Sequence, residues 1–261
     1  MPTLCLVFIL LFAGSARADT PAPGEAPVPF LWRQFVPSSS TVEAAFQLRT
    51  PQFILYQNGT LIYRGSPADR PSYRQVVLTP QELGAFLFSL QQRFHFSGIT
   101  PERLARELPY IQRPKTPPQK DANGVVIWMG VFNPPRTLRM SLADLKAHDG
   151  QPRNAPAWEA LNGLNRFLEG YRHPRAQPFI PDQVELAIHP LPPRLASSAA
   201  SAARWPLPDV SLRALLGRKS EAFQTLTGES ARTAYRLLAD HPVVTDGGTV
   251  YYVWVRPLLL P

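Results

Sequence analysis

Between positions 53 and 64 the chain reads Phe-Ile-Leu-Tyr-Gln-Asn-Gly-Thr-Leu-Ile-Tyr-Arg, two apolar runs on either side of Asn58-Gly59. Two residues that tolerate a positive φ between such runs predict a hairpin closed by a two-residue type I′ turn. Counted from that turn, Gln57 faces Thr60, Tyr56 faces Leu61, Leu55 faces Ile62 and Ile54 faces Tyr63. Side chains alternate along a strand, so one face carries Ile54, Tyr56, Leu61 and Tyr63 and the other Leu55 and Ile62. The hairpin base is apolar on both faces, and both need cover.

Upstream, residues 42–49 alternate Val42, Ala44, Phe46 and Leu48 against Glu43, Ala45, Gln47 and Arg49, the pattern of a half-buried strand. Downstream, 73–78 reads as a third strand. A helix then starts at Thr79: Thr79 is the N-cap, Pro80 takes the first helical position, and Glu82 reaches back to close a capping box. Leu83, Phe86, Leu87, Leu90 and Phe94 recur at helical spacing and form one apolar stripe for the sheet. Thr100-Pro101-Glu102 opens a shorter helix that stops before Pro109. Residues 125–132, with Trp128, and 136–140 read as strands joined by a turn at Asn133-Pro134-Pro135. Asn154 can cap a further helix whose buried stripe is Trp158, Leu161, Leu164, Leu168 and Tyr171.

Residues 173–181 are a Pro-rich connector, and 184–188 alternates like one more short strand. From 191 to 208 the composition turns to Pro, Ala and Ser, which reads as a linker or long surface loop. A short helix from Ser211, a helical region from about Ser220 and a last helix with Ala231, Ala234, Tyr235 and Leu238 on one face follow. Asp246-Gly247-Gly248 turns the chain into a strand over 250–255, apolar on both faces and so set between neighbours. These elements predict an α+β fold: a mixed or antiparallel sheet with helices packed on one face, plus a smaller C-terminal α/β extension. The main domain is expected over 30–190, the linker over 191–208, and a helical segment ending in a strand over 209–261.

Composition adds the amino end. Residues 4–12 are an uninterrupted apolar run too short to span a bilayer, and Ala16-Arg17-Ala18 has the small-residue spacing of a signal-peptidase site. A signal peptide over 1–18 is therefore expected, followed by a disordered Pro/Ala-rich leader over 19–29. No Lys or Arg precedes the apolar run, which leaves an upstream start or an uncleaved anchor open. Cleavage would remove Cys5, and with it any disulfide or thiolate, and Arg17, taking the net charge from +8 to 26 − 19 = +7. The cations are 23 Arg and only four Lys, dispersed with no dense run, so no nucleic-acid partner is expected. No transmembrane segment is expected after signal removal.

Candidate chemistry is sparse. The histidines, His95, His148, His173, His189 and His241, lack the i, i+3 or i, i+4 spacing of a helical zinc site. Gly228-Glu229-Ser230-Ala231-Arg232 approaches a nucleophile elbow, but Arg232 stands where the second Gly belongs and no apolar strand is read in front of it. Glu82, Glu102, Asp121, Asp144 and Asp246 fall at turns and helix starts, where capping explains them. Asn58-Gly59-Thr60 matches a glycosylation acceptor formally, and its turn role accounts for it better. Tyr56, Tyr63, Trp128 and Trp254 sit on strands and read as core. No catalytic, cofactor-binding or metal-ligating residue is assigned, and no cofactor is expected. The exposed cationic loop over 110–120, with Tyr110, Arg113, Lys115 and Lys120, is the candidate partner-binding surface.

The order of elements over 46–171 resembles the emfourin-like module of uncharacterised exported bacterial proteins. The resemblance rests on the strand and hairpin, the helix start Leu78-Thr79-Pro80-Gln81-Glu82, Phe94 to Phe96 closing that helix, the turn at Asp121, two further strands and a last helix. That family includes inhibitors of thermolysin-like metalloproteases, so the resemblance implies an exported binding protein without catalysis. Its Gly-rich segment near the first strand is replaced here by Leu48-Arg49-Thr50-Pro51-Gln52, and no inhibitory residue is carried over. The expected function is a periplasmic or secreted envelope protein with a non-enzymatic binding or accessory role, acting on another protein or an envelope component through the 110–120 loop or an open sheet edge. The alternatives are an inhibitor of a secreted metalloprotease and an enzyme with a dispersed carboxylate or histidine site.

Overall fold

Strand pairing sorts the chain into two mostly antiparallel sheets, and the fold is α+β. The structure, a computed structural model, describes residues 27–36, 46, 49–66, 72–107, 123–141, 144, 155–191, 202–217 and 219–259. Residues 1–18, expected to be a signal peptide, most of 19–29, the segment 110–120 and Asn154 lie outside the described residues.

The first sheet contains β1 (Pro29–Val36), β2 (Phe53–Tyr56), β3 (Thr60–Arg64), β4 (Tyr73–Val77), β5 (Gly124–Met129), β6 (Arg136–Ser141) and β7 (Gln177–Pro178), in the order β6-β5-β1-β2-β3-β4-β7. Helices α1 (Pro80–Phe94), α2 (Pro101–Glu107) and α3 (Pro156–Glu169) belong to this half. The second sheet contains β8 (Gln183–Pro190), β9 (Ala203–Arg204), β10 (Ala222–Thr227), β11 (Val243–Asp246) and β12 (Thr249–Pro257), in the order β10-β8-β12-β11-β9, with α4 (Leu212–Leu216) and α5 (Gly228–Asp240). The strand read at 184–188 pairs only within this second sheet, so the change of sheet falls between Pro178 and Gln183.

The hairpin forms in a different register from the one its turn residues suggest. Leu55 faces Leu61, Ile54 faces Ile62 and Phe53 faces Tyr63, with Gln57, Asn58 and Gly59 in the loop. Gly59 alone in this loop has a positive φ, 81°. Its N–H donates to Tyr56 O at 3.0 Å, while Asn58 Oδ1 accepts from Thr60 N at 3.0 Å. This is the longer hairpin in which a turn is followed by one left-handed glycine. The one-residue shift changes which side chains share a face. Phe53, Leu55, Leu61 and Tyr63 now join the core under the helices, and Ile54, Tyr56 and Ile62 form a cluster on the opposite face. The two-residue turn with both residues at positive φ occurs instead at Gly247-Gly248 (φ 55° and 81°), between the paired Asp246 and Thr249.

The strand beside β2 is β1, not the alternating segment 42–49. Phe46 lies in a helical turn and Arg49 in a turn, and the remainder of that segment is outside the described residues. A buried arginine hides β1 from a hydrophobic pattern: Arg33 is 3 % exposed and sits between Leu31 and Phe35 on the inner face. The region read as helical from Ser220 likewise contains strand β10. Ala222 and Leu226 are four apart, a spacing that fits one face of a helix and one face of a strand equally.

Helix α1 carries the full capping box, with Glu82 N donating to Thr79 Oγ1 at 3.2 Å and Thr79 N to Glu82 Oε2 at 2.9 Å. Phe86, Leu87, Leu90 and Phe94 are buried against the sheet. Helix α3 is capped from elsewhere. Its N-cap is Ala155, and the buried Glu107 at the end of α2 supplies the carboxylate, Ala157 N donating to Oε2 at 2.7 Å. Trp158 Nε1 ties the same corner by donating to Leu104 O at 2.9 Å. Glu107→Ala leaves the Ala157 N–H buried and is expected to lower stability by about 1–2 kcal/mol. Equilibrium urea unfolding checks this, and an unchanged midpoint would refute the remote cap.

The other face of the first sheet is sealed in its middle by the end of the second. Ile54, Tyr56, Ile62 and Tyr73 cluster with Leu259, Tyr56 OH donates to Leu259 O, and Thr50 Oγ1 donates to Pro257 O at 3.1 Å. Burial pushes the Tyr56 and Tyr235 hydroxyls up to about 12 and raises Tyr73 as well. An unfolded tyrosine ionises near pH 10. Above that pH the unfolded chain releases protons that the folded chain retains, so stability is full below about pH 10 and falls as pH rises toward 12. Urea midpoints measured across this window should decline, with part of the tyrosinate absorbance appearing only on unfolding.

Candidate functional site

The residues named from sequence are scattered by the fold. Tyr110, Arg113, Lys115 and Lys120 fall outside the described residues, as does His148. His95 caps α1 in the left-handed conformation, and His173 sits in a turn where its N–H donates to Tyr63 OH at 3.0 Å. Among the described residues no three His, Cys, Asp or Glu side chains gather as a metal centre requires. Gly228 does follow a strand directly, contrary to the sequence reading, since β10 ends at Thr227. The left-handed residue of that turn is Gly228 (φ 59°), while Ser230 lies inside α5, so the geometry of a nucleophile elbow is absent at this turn.

The fold does bring His189 to a carboxylate. His189 Nε2 lies 3.0 Å from Glu221 Oε1, and the His189 ring packs edge-on against Trp254 at 4.4 Å between centroids. Trp254 in turn meets Tyr252 at 5.0 Å, and Arg256 pairs with Glu185 at 2.6 Å on the same face of the second sheet. His189 Nε2 and Glu221 Oε1 form no hydrogen bond at this contact, and the buried Trp254 Nε1 finds no acceptor among the described residues. This pair was invisible in the sequence because 32 positions separate residues that β8–β10 pairing places side by side.

At one end of the first sheet, on the face away from the helices, the registers align a continuous row. Thr137 of β6 stands opposite Trp128, Trp128 opposite Trp32, Trp32 opposite Ile54, and Ile54 opposite Ile62. Ile54 is fully buried and Ile62 is 4 % exposed. Trp32 and Trp128 are only half-buried, and Thr137 is exposed. The two indoles lie parallel within 13°, their centroids 6.4 Å apart. Gly130 makes room for this, since a Cβ there would stand 2.1 Å from the Trp128 ring. Alternation puts Gln34, Val36, Val126 and Arg139 on the same face, with Val36 42 % exposed and Arg139 exposed. Arg139 has no ion-pair partner among the described residues, and no carboxylate occupies the outward positions of β1, β5 or β6.

This corrects one sequence expectation. Tyr56 and Tyr63 are core residues, as read, but Trp128 and Trp254 lie on outer faces and keep part of their rings in solvent. The opposite end of the first sheet holds an open groove of about 420 Å³ lined by Gln75, Val76, Val77, Arg175, Gln177 and Pro178. The short β7 covers β4 only opposite Arg74 and Gln75 and leaves Val77 57 % exposed at that edge.

Comparison with protein-family models, with curated proteins and with solved structures finds no match to this chain. Among the described residues no helix is long and apolar enough to cross a membrane.

Proposed function

We propose that the chain is an exported bacterial envelope protein with a non-enzymatic binding role, and that it meets the polymeric envelope through the outer face of β6, β5 and β1. One observation carries the reading: the parallel Trp32–Trp128 pair remains half exposed on a sheet face whose middle is sealed by Leu259. Large aromatic side chains held partly in solvent on rigid strands are what contact surfaces are built from, because they offer area at small entropic cost. The apolar run at 4–12 with Ala16-Arg17-Ala18 supports export. The loop with Tyr110, Arg113, Lys115 and Lys120 runs in sequence into β5, the strand that bears Trp128, and is proposed as a second contact.

Co-sedimentation with a washed envelope fraction tests the proposal. The full chain lacking residues 1–18 should pellet with the envelope, and Trp128→Ala should remain largely in the supernatant. A wild-type protein that stays soluble, or a variant that pellets equally well, would overturn it.

A further inference from the structure

We propose that the Trp32–Trp128 face binds pyranose rings of an acidic polysaccharide, an inference that rests on the envelope-binding reading and names its ligand chemistry. The indole pair offers two parallel apolar surfaces in adjacent register positions, 6.4 Å between centroids. A ligand that matches them presents successive flat C–H faces, with polar groups at the ring edges, and a pyranose chain has that form. On one side the row is closed by the buried Ile54 beneath Leu259, and on the other it opens toward exposed Thr137 and Arg139.

Thr137 stands directly opposite Trp128, where its hydroxyl can donate to or accept from a ring hydroxyl. Arg139 stands opposite Val126, one diagonal step from Trp128 and within reach of a long side chain. Its guanidinium suits a carboxylate or phosphate on the sugar. With no carboxylate on the outward positions of these three strands, charge complementarity selects an acidic polymer over a neutral one. A nucleic acid fits less well, since phosphate tracking needs several clustered cations and this face offers one described arginine.

Affinity electrophoresis of the full chain lacking residues 1–18, through gels containing polygalacturonate, dextran or poly(U), distinguishes the possibilities. Retardation by polygalacturonate above that by dextran is expected. Trp128→Ala should weaken it about tenfold, in line with the truncation of a large aromatic contact residue. Gly130→Ala, which displaces the ring without removing it, should act in the same direction. Arg139→Gln, at an exposed position that does not threaten folding, should abolish the preference for polygalacturonate over dextran while leaving residual binding to both. Circular dichroism and urea midpoints of each variant separate lost binding from lost structure. Equal retardation of Trp128→Ala and wild type, or stronger Trp128-dependent retardation by poly(U), overturns the inference. If the envelope fraction still captures the protein through Trp128 while neither polysaccharide retards it, the ligand class is wrong and the binding role stands.

Discussion

Phe53→Ala is expected to lower the free energy of unfolding by about 4 kcal/mol, within the range for deleting a fully buried aromatic ring. Phe53 is 0 % exposed and sits where the hairpin meets the helices. Its ring stacks on Phe86 of α1 at 6.1 Å and takes Tyr171 edge-on at 5.5 Å, and Tyr171 also contacts Phe86, Phe167 and Tyr63. Removing the ring opens a void that α1, the hairpin and the end of α3 would all have to move to close, which close-packed interiors do poorly. Ile54→Val, on the opposite face of the same strand, should cost only about 1 kcal/mol. Urea unfolding measures both, and a Phe53→Ala loss no larger than that of Ile54→Val would show that this face is not the main core.

Arg33→Ala is expected to cost about 1–3 kcal/mol for a different reason, the loss of buried hydrogen bonds from a charged donor. Arg33 is 3 % exposed, its Nε donates to Asn165 Oδ1 at 2.7 Å and its Nη1 to Gln52 Oε1 at 3.1 Å, and Glu169 lies 3.4 Å away. Burial holds the guanidinium below its ordinary pKa, with Glu169 acting against that shift. Truncation would leave Asn165 without its donor inside the core, while Gln52 Oε1 would keep the Phe35 N–H at 2.6 Å. Glu169 is 63 % exposed, so Glu169→Ala should cost under about 1 kcal/mol. A double-mutant comparison of Arg33→Ala with Glu169→Ala reads this asymmetry. Equal small losses would mean that the arginine is solvated and the polar cluster incidental.

Legibility differed by the range over which a feature is specified. Thr79, Pro80 and Glu82 specify the start of α1 within four positions, and the cap forms with the partners that spacing implies. Ser211 caps α4 in the same local way, with Ala214 N donating to its hydroxyl at 3.3 Å. The hairpin was legible as a hairpin, but its register turned on which residue took the left-handed conformation. Asn58 and Gly59 could both take it, and the side-chain bond from Asn58 to Thr60 N fits the longer loop. Strand β1 was lost to a periodicity reading because Arg33, a charged residue, occupies an inner position. Of the candidate site, Trp128 stands in a strand pattern that reads as core, while Trp32 and Arg139 carry no signal in the sequence. What marks them is a shared row across three strands, and pairing partners are not encoded in the spacing of any one of them.

From the chain alone come the α+β class, the place of the hairpin, the caps of α1 and α4 and the apolar stripes of α1 and α3, because each depends on residues within a turn or two of one another. Tertiary structure decided which hairpin face meets the helices, that Glu107 caps α3 from 50 positions away, and that β8 belongs to the second sheet. It also decided that Trp32 and Trp128 lie side by side in partial exposure. Those outcomes rest on long-range pairing and on burial, which depend on how whole elements fill space together rather than on local conformational preference.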